Sequence, residues 1–504
     1  STTNWFWRTY YWRGGTDTNW STVANWSLTA DESVLAVTAP ETDGNANIVI
    51  ATRDGGNNLV MTADLYASVL RINADCTLDI ASYSVSVVTF TNNGTLRLCG
   101  VSGQAIAADS ITSADDSTVS YCGASDGGVI SALVWDGDSA TDGMQYANLV
   151  IEAGAVADLS AVSLVADVSG SCTNLGTLTF GTATVTVGAA FTNEGTFTQS
   201  GGALTVSGDF TNSGIFSQSG GSSTLSGDLT SSGTYTASAG TLTLTGTAVT
   251  VSGSSTFAAV TLPTESASVT FTGSNSFTEL TASGTGSTLT FSSGNTFGTF
   301  TANGEGSTLS FSAANTFTTL TATATSCTLT FAGTNSFGTF SATGTGATVT
   351  FSDSNTFGTL SLTGAGSTVY FGAGKTQTVT TAFVCTGTES ALITLTTDSS
   401  SPSISDTATW WLFDLPAETG TALTESEVCY TEISYSQSVN EIQHDWGDTV
   451  TETLGGESAA GSTVNWFLRV YYWYGKTSSD WATAANWSLT SDGSTDRKST
   501  RLNS

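Results

Sequence analysis

Positively charged side chains are scarce in this sequence of 504 residues. It contains 11 Lys and Arg against 42 Asp and Glu, and its formal net charge is -31. No Lys or Arg occurs between Arg97 and Lys375. Because nucleic acids and anionic membrane surfaces are bound through clustered Lys and Arg, we expect neither as a partner. No apolar run reaches the roughly 18 residues of a membrane-spanning helix, so we expect no membrane insertion within this sequence.

The residues that build metal and redox sites are also few. There is one His, and the seven Cys lie singly, without a Cys-x-x-Cys or Cys/His spacing. This pattern predicts small buried residues in strands rather than a zinc site. A 3.6-residue apolar period is missing as well, whereas Thr, Val, Phe and Tyr, which favour strands, are abundant. The composition therefore predicts an all-β protein without a cofactor.

Residues 271–370 repeat with a period of 20, after a degenerate unit at 251–270, and a period of 19 covers about 172–250. Within the longer period, two Phe columns and one Asn column recur. The first Phe column is Phe271, Phe291, Phe311, Phe331 and Phe351, the Asn column is Asn275, Asn295, Asn315, Asn335 and Asn355, and the second Phe column is Phe277, Phe297, Phe317, Phe337 and Phe357.

Within each unit, apolar residues alternate with Ser or Thr, as in "STLTF", which is the period of a β-strand. Gly and Ser/Asn pairs separate these short strands and predict turns. A coil of two or three strands therefore takes one repeat, and stacked coils pair in parallel. We predict a parallel β-solenoid with 19–20-residue coils, continuous Phe stacks and an Asn amide ladder. A leucine-rich repeat would need helix formers, and a propeller blade would need about twice the period.

A Trp-rich passage occurs twice. "YYWRGGTDTNWSTVANWSLT" near the start matches "YYWYGKTSSDWATAANWSLT" near the end at an offset of 461 residues. We interpret it as the opening or cap of a tandem outer unit, so that neighbouring copies of the unit would pack end to end. The predicted organisation is an opening segment at 1–33, a solenoid at 34–400, final coils and a cap at 401–464, and the start of the next unit at 465–495.

The passage resembles a W-x-G-G…W-x-x-x-x-N-W-S segment that opens β-helical repeats in large bacterial exoproteins of the adhesin or autotransporter-passenger type. Similar segments also occur in phage virion proteins. The coils "FTNNGTL" and "FTNEGTF" are similar to the repeats of these proteins as well. The resemblance implies a secreted or surface structural protein, and it transfers no catalytic residue to this chain.

The last nine residues, 496–504, differ from everything before them. "DRKSTRLNS" contains three of the 11 basic residues, and its back-translation matches the start of a common sequencing adapter. We interpret it as an artefact of an assembled metagenomic read. Together with the missing initial Met, it predicts a reading frame cut at both ends.

Few residues suggest chemistry. The loop "WDGDSATDG" places Asp136, Asp138 and Asp142 together, and these oxygen ligands are a candidate calcium site, although a solvated acidic turn is the simpler interpretation. His444 and Asp445 are adjacent but lack an activated-Ser motif. In 251–370 the acidic residues form no column, so paired catalytic carboxylates are not expected.

Trp12, Trp20 and Trp26 admit two interpretations. They are either an exposed platform that stacks on sugar rings, or a buried cap that supplies apolar area.

The sequence as a whole predicts a non-enzymatic, secreted or cell-surface adhesin-like protein that forms a rigid rod, with surface glycans or host proteins as candidate partners. About 18 coils of about 4.8 Å would give a rod of roughly 85 Å. The alternatives are a carbohydrate-binding surface, a phage tail protein and a β-helix polysaccharide lyase or hydrolase.

Overall fold

The structure is a computed structural model. It describes residues 8–42, 46–51, 56–101, 103–123, 144–160, 165–388, 390–400, 408, 411–414, 425–429, 431–438, 450–452, 463–464, 472–473 and 487–488. The chain comprises two compact units, Ser1–Thr296 and Phe297–Ser504.

In its described residues, the first unit contains short strands and one 3-10 helix, Val23–Asn25. Its first strands, in chain order, are Arg8–Trp12, Trp26–Ser27, Ala46–Ile50, Leu59–Val60, Leu65–Ile72, Thr77–Asp79, Val85–Asn92, Thr95–Leu98, Ile106–Ser113 and Thr118–Tyr121. The later strands are Met144–Tyr146, Asn148–Ile151, Val156–Leu159, Val165–Val168, Cys172–Asn174, Thr177–Phe180, Thr184–Val187, Phe191–Asn193, Thr196–Gln199, Ala203–Val206, Phe210–Asn212, Ile215–Leu225, Leu229–Ser231, Thr234–Leu244, Ala248–Ser252, Thr256–Leu262, Ser268–Phe271, Ser276–Ala282 and Thr288–Phe291.

The second unit continues the alternation of shorter and longer strands. Its strands are Thr296–Ala302, Thr308–Phe311, Thr316–Ala322, Thr328–Phe331, Ser336–Ala342, Thr348–Phe351, Asn355–Leu362, Thr368–Phe371, Thr376–Thr386, Ile393–Thr397, Trp411–Asp414, Glu425–Cys429, Thr431–Ile433, Ser436–Ser438, Val450–Glu452, Thr463–Val464, Tyr472–Trp473 and Trp487–Ser488.

Successive coils pair in parallel, which confirms the predicted all-β parallel β-solenoid. In the first unit, Leu178 lies opposite Phe197 and Val185 opposite Leu204, each 19 residues further on. In the second unit, Thr328 lies opposite Thr348, 20 residues further on. The period seen in the sequence is therefore the length of one coil in each region. A coil of the 19-residue type consists of the strands Cys172–Asn174, Thr177–Phe180 and Thr184–Val187.

Alternation within each strand separates an apolar interior from a hydroxyl-bearing surface. In Thr288–Phe291, Leu289 and Phe291 are fully buried while Thr288 is exposed. Side chains of a strand point alternately to opposite faces, so every second residue enters the interior. Burial of apolar side chains at about 25 cal/mol per Å², repeated coil after coil, is the main stabilising contribution.

Both Phe columns form face-to-face stacks along the coils, as the sequence predicts. Phe271 and Phe291 stack in the first unit with ring centroids 4.9 Å apart and planes 6° from parallel. In the second unit the centroids of Phe311 and Phe331 are 4.8 Å apart, and those of Phe331 and Phe351 are 5.1 Å apart. The second column has centroid spacings of 4.6, 4.9 and 5.0 Å through Phe297, Phe317, Phe337 and Phe357.

The Asn column is an amide ladder, which confirms the second prediction for the repeat. In the second unit the backbone N–H of Asn315 donates to Oδ1 of Asn335 at 2.9 Å, and that of Asn335 donates to Oδ1 of Asn355 at 2.8 Å. In the first unit the backbone N–H of Asn275 donates to Oδ1 of Asn295 at 2.8 Å. These buried side chains satisfy turn backbone groups that would otherwise lose hydrogen bonds on leaving water.

A second ladder, which we did not predict, runs through the 19-residue coils. Nδ2 of Asn174 donates to Oδ1 of Asn193, and Nδ2 of Asn193 to Oδ1 of Asn212, each at 2.7 Å. All three side chains are fully buried. The signal was present in the sequence as a Thr-Asn-x-Gly pattern that recurs every 19 residues at Asn174, Asn193 and Asn212.

Candidate functional site

The Trp-rich opening segment folds into a buried aromatic cluster. The indole of Trp26 packs edge-on against Trp12 and Trp20, with centroid distances of 5.2 and 4.8 Å. Every indole N–H donates to a backbone carbonyl: Trp12 to Asn57 at 2.9 Å, Trp20 to Pro40 at 2.7 Å, and Trp26 to Trp20 at 2.7 Å. Buried indole N–H groups usually find a hydrogen-bond partner, and all three indoles of the cluster have one within the protein.

The residues around Trp26 explain the repeated "NWS". Oδ1 of the buried Asn25 accepts the backbone N–H of Thr16 at 2.8 Å, and its Nδ2 donates to Oδ1 of Asp17 at 2.7 Å. Oγ of Ser27 donates to the carbonyl oxygen of Val34 at 2.9 Å. The Asn therefore holds the loop before the indole, and the Ser holds the loop after it.

The interpretation of Trp12, Trp20 and Trp26 as an exposed glycan platform is wrong. Trp12 and Trp26 are 0% exposed and Trp20 is 7% exposed. Stacking on a sugar ring needs an open aromatic face, and these faces contact one another instead. The buried-cap interpretation agrees with the structure, because Trp26–Ser27 pairs antiparallel with the edge of Arg8–Trp12.

The second Trp passage repeats this pairing. Tyr472 lies opposite Ser488 and Trp473 opposite Trp487 in an antiparallel pair. These positions are 461 residues after Tyr11, Ser27, Trp12 and Trp26, which pair in the same register. The outer repeat is therefore a repeat of local structure as well as of sequence.

A charged cluster spans several irregular coils of the first unit. Nε and Nη2 of Arg97 donate to the two carboxylate oxygens of Glu152 at 2.7 and 2.8 Å. Nη1 of Arg97 donates to Asp79, and Oγ of Ser120 donates to Glu152 at 2.7 Å. This cluster could not be predicted from the sequence, because its residues lie where the coil length is irregular.

The electrostatics of the cluster favour a permanent ion network. The hydrogen bonds from Arg97 hold the pKa of the Glu152 carboxyl below its ordinary value, against the opposing effect of burial. Conversely, Glu152 and then Asp79 raise the pKa of the Arg97 guanidinium. A general acid at neutral pH needs a raised carboxyl pKa, so Glu152 is poorly suited to that role.

A groove of about 650 Å³ also lies in the first unit. The strand Ile106–Ser113 ends one six-stranded sheet, Met144–Tyr146 belongs to the next, and residues of both regions line the groove. Its lining includes Asp115 and Asp167 together with several hydroxyl groups. Oγ of Ser113 is buried there without a hydrogen-bond partner in the described part of the chain. The groove can therefore offer hydroxyl and carboxylate groups to a polar ligand.

Several predicted residues cannot be compared with the structure. The candidate calcium ligands Asp136, Asp138 and Asp142 lie outside the described residues, and so does His444. Within the described ranges, no group of three or more His, Cys, Asp or Glu side chains is placed to hold a metal ion. No helix in the described part of the chain has the length and hydropathy needed to cross a bilayer.

No protein-family profile, no curated protein and no solved structure matches the chain. Its function is therefore inferred from the geometry of the parallel β-solenoid itself.

Proposed function

We propose that this chain is a non-enzymatic structural protein of the secreted or cell-surface type, whose stacked coils serve as a stiff spacer. The observation that carries the proposal is the in-register stacking of near-identical coils. The interior is filled by Phe stacks and amide ladders, and the outward positions are mainly Ser and Thr. Such a surface offers little chemistry, whereas a repeated interior provides length and rigidity.

Two further features support a structural role. The charged cluster of the first unit consists of carboxylates held by Arg97, with a Glu152 pKa that is lowered rather than raised. The recurring antiparallel Trp pair supports tandem outer units, in which one solenoid would follow another. Bacterial adhesins of the passenger type, which the opening passage resembles, would use a spacer in this way.

Small-angle X-ray scattering of the purified chain tests the spacer role. A single continuous stack would give a maximum dimension of roughly 85 Å or more, from about 18 coils of about 4.8 Å each. A pair-distance distribution with the asymmetric tail of an elongated particle is the expected result. A symmetric distribution that ends well below that length would contradict the proposal.

A carbohydrate-binding surface is the second candidate, and the groove favours it. Hydroxyl and carboxylate groups hydrogen-bond polyols, and the lining of the groove carries both. A glycan array with the wild-type chain should then give binding that Asp167→Asn weakens at least tenfold. Glu194→Gln, which changes an exposed carboxylate on a regular coil, is the matched control. Binding that neither variant alters would place the ligand elsewhere, and a blank array would remove this candidate.

A further inference from the structure

Two cysteines occupy the same position in successive coils of the first unit. The strands Thr95–Leu98 and Thr118–Tyr121 pair in parallel, and Cys99 and Cys122 follow them directly. The backbone N–H of Cys122 donates to the carbonyl oxygen of Leu98 at 2.9 Å, which continues the register past the strand ends. The two side chains therefore start from neighbouring backbones, one above the other.

The backbone around the two residues is also alike. Cys99 is followed by Gly100 with a φ of 69°, and Cys122 is followed by Gly123 with a φ of 68°. Each cysteine is thus followed by a glycine in the same left-handed conformation. The two Sγ atoms lie 3.6 Å apart, and neither belongs to a disulfide bond in this structure.

We propose that Cys99 and Cys122 form an inter-coil disulfide bond when a small-molecule disulfide such as oxidised glutathione is present. Neighbouring strands are about 4.8 Å apart, which falls within the range of about 4.4–6.8 Å between the Cα atoms of bridged cysteines. The Sγ atoms need only approach from 3.6 Å to a bonding distance of about 2 Å. This is a small side-chain movement on a backbone that is already in place.

The exchange has a defined order. Cys122 is partly exposed while Cys99 is buried, so the Cys122 thiolate reaches the glutathione disulfide first. It forms a mixed disulfide and releases one glutathione thiolate. Cys99 then attacks the Cys122 sulfur and releases the second. In total, two protein thiols lose two electrons and two protons, and one glutathione disulfide gains them to become two glutathione thiols.

The thiol environment determines the rate of this exchange. Burial, and then the neighbouring Cys99, raises the pKa of the Cys122 thiol to about 12. Its S–H also contacts the carbonyl oxygen of Leu98 at 3.4 Å. Because the thiolate is the attacking species, the reaction should be slow at neutral pH and faster in alkaline solution. Once formed, the bond is protected by the same burial.

Mass spectrometry of the full-length chain tests the proposal. The reduced protein is incubated at pH 8 with excess oxidised glutathione, and free thiols are then blocked with N-ethylmaleimide. Asp109, Asp115 and Asp116 lie between the two cysteines, so a protease that cleaves before Asp separates them unless they are bridged. We expect one linked species, lighter by two hydrogen atoms, that dithiothreitol separates into two peptides. The buried thiols of Cys172 and Cys327 should remain free and serve as internal controls.

Single variants distinguish the bridge from simple surface modification. In Cys99→Ala the reaction should stop at the glutathione adduct on Cys122, and in Cys122→Ala the buried Cys99 should stay unmodified. Recovery of both wild-type cysteines as blocked thiols would overturn the proposal. So would a wild-type glutathione adduct on Cys122 as abundant as in Cys99→Ala. If a variant fails to fold, the wild-type measurement alone decides.

Discussion

The Asn ladder makes the most specific prediction, because each rung uses both ends of its amide. Oδ1 of Asn335 accepts the backbone N–H of Asn315, while its Nδ2 donates to the carbonyl oxygen of Gly333 and, at 3.0 Å, to Oδ1 of Asn355. Asn335→Asp keeps the size and the accepting oxygen. It replaces the donating nitrogen with a second oxygen that faces two other oxygens.

The magnitude follows from the two lost donors. The side chain is 2% exposed, and the Gly333 oxygen left without this donor costs about 1–3 kcal/mol. Oδ1 of Asn355 keeps the backbone N–H of Asn335 but faces a buried carboxylate oxygen, at a cost of about the same size. At neutral pH, Asn335→Asp should therefore destabilise this region by about 2–6 kcal/mol. Burial raises the pKa of the new carboxyl group above its ordinary value. The folded state then binds the proton more tightly than the unfolded state, so the deficit is smallest in acid and grows as the pH rises through the folded pKa.

Hydrogen exchange is the suitable assay, because stacked repeats open locally and a single global unfolding free energy need not apply. Amides of Thr328–Phe331 and Ser336–Ala342 should exchange at least about 30-fold faster at pH 7, which corresponds to about 2 kcal/mol. The control is Asn303→Asp, at an exposed position of the same unit. Equal protection in the two variants, or a deficit that does not change with pH, would refute the role assigned to the ladder.

Three further substitutions probe other elements. Phe331→Ala removes a fully buried ring from the centre of a stack and should lower the free energy of unfolding by about 3–5 kcal/mol. The control Thr330→Ala, on the same strand, should change it by no more than about 0.5 kcal/mol. Equal effects of the two variants in chemical denaturation would contradict the stacking argument. In Gly214→Ala the new Cβ would lie 2.0 Å from a backbone oxygen of the preceding coil, whereas at Gly306 nothing lies within 4 Å and only its φ of +65° opposes a side chain. Thermal unfolding followed by circular dichroism should therefore show a much larger drop in melting temperature for Gly214→Ala than for Gly306→Ala. Glu152→Gln should destabilise the first unit at neutral pH. The difference in stability from the wild type should fade as the pH drops through the lowered pKa of the Glu152 carboxyl. A difference in stability that persists in acid would show that charge is not its cause.

The regular coils could be predicted because their sequence period equals their coil length. When Phe311 and Phe331 are 20 residues apart and one coil takes 20 residues, stacking brings the two rings together without further information. The Asn ladder follows in the same way, since the amide of Asn335 meets the backbone of Asn315. Wherever the period holds, residues that are one repeat apart in the sequence are therefore predicted to be in contact.

The irregular coils could not be predicted by counting. Asp79, Arg97 and Glu152 are separated by 18 and 55 residues, and Cys99 and Cys122 by 23. None of these spacings is the repeat length, so the sequence does not tell which residues share a column. The Trp segment was ambiguous for another reason, because burial and sugar stacking both call for aromatic residues in a cluster.

Charge also explains why the cluster around Arg97, within the described residues, lies where the period breaks. A charged residue at the same position of every coil would bring like charges about 4.8 Å apart. Their repulsion would cost about 1 kcal/mol per contact at the dielectric constant of water, and about 4 kcal/mol at the lower value found near a protein surface. Hydroxyl groups carry no such penalty, and the outward columns of the regular coils consist mainly of Ser and Thr. In the 20-residue coils Glu279, Glu305 and Asp353 fall at different positions of the repeat. In the 19-residue coils Asp209 and Asp228 share one position, and there the backbone N–H of Asp228 donates to Oδ1 of Asp209. Arg97 lies between two carboxylates in a region where the coils differ in length. A ligand site that needs several charges is therefore expected beside the irregular coils and not along the uniform ones.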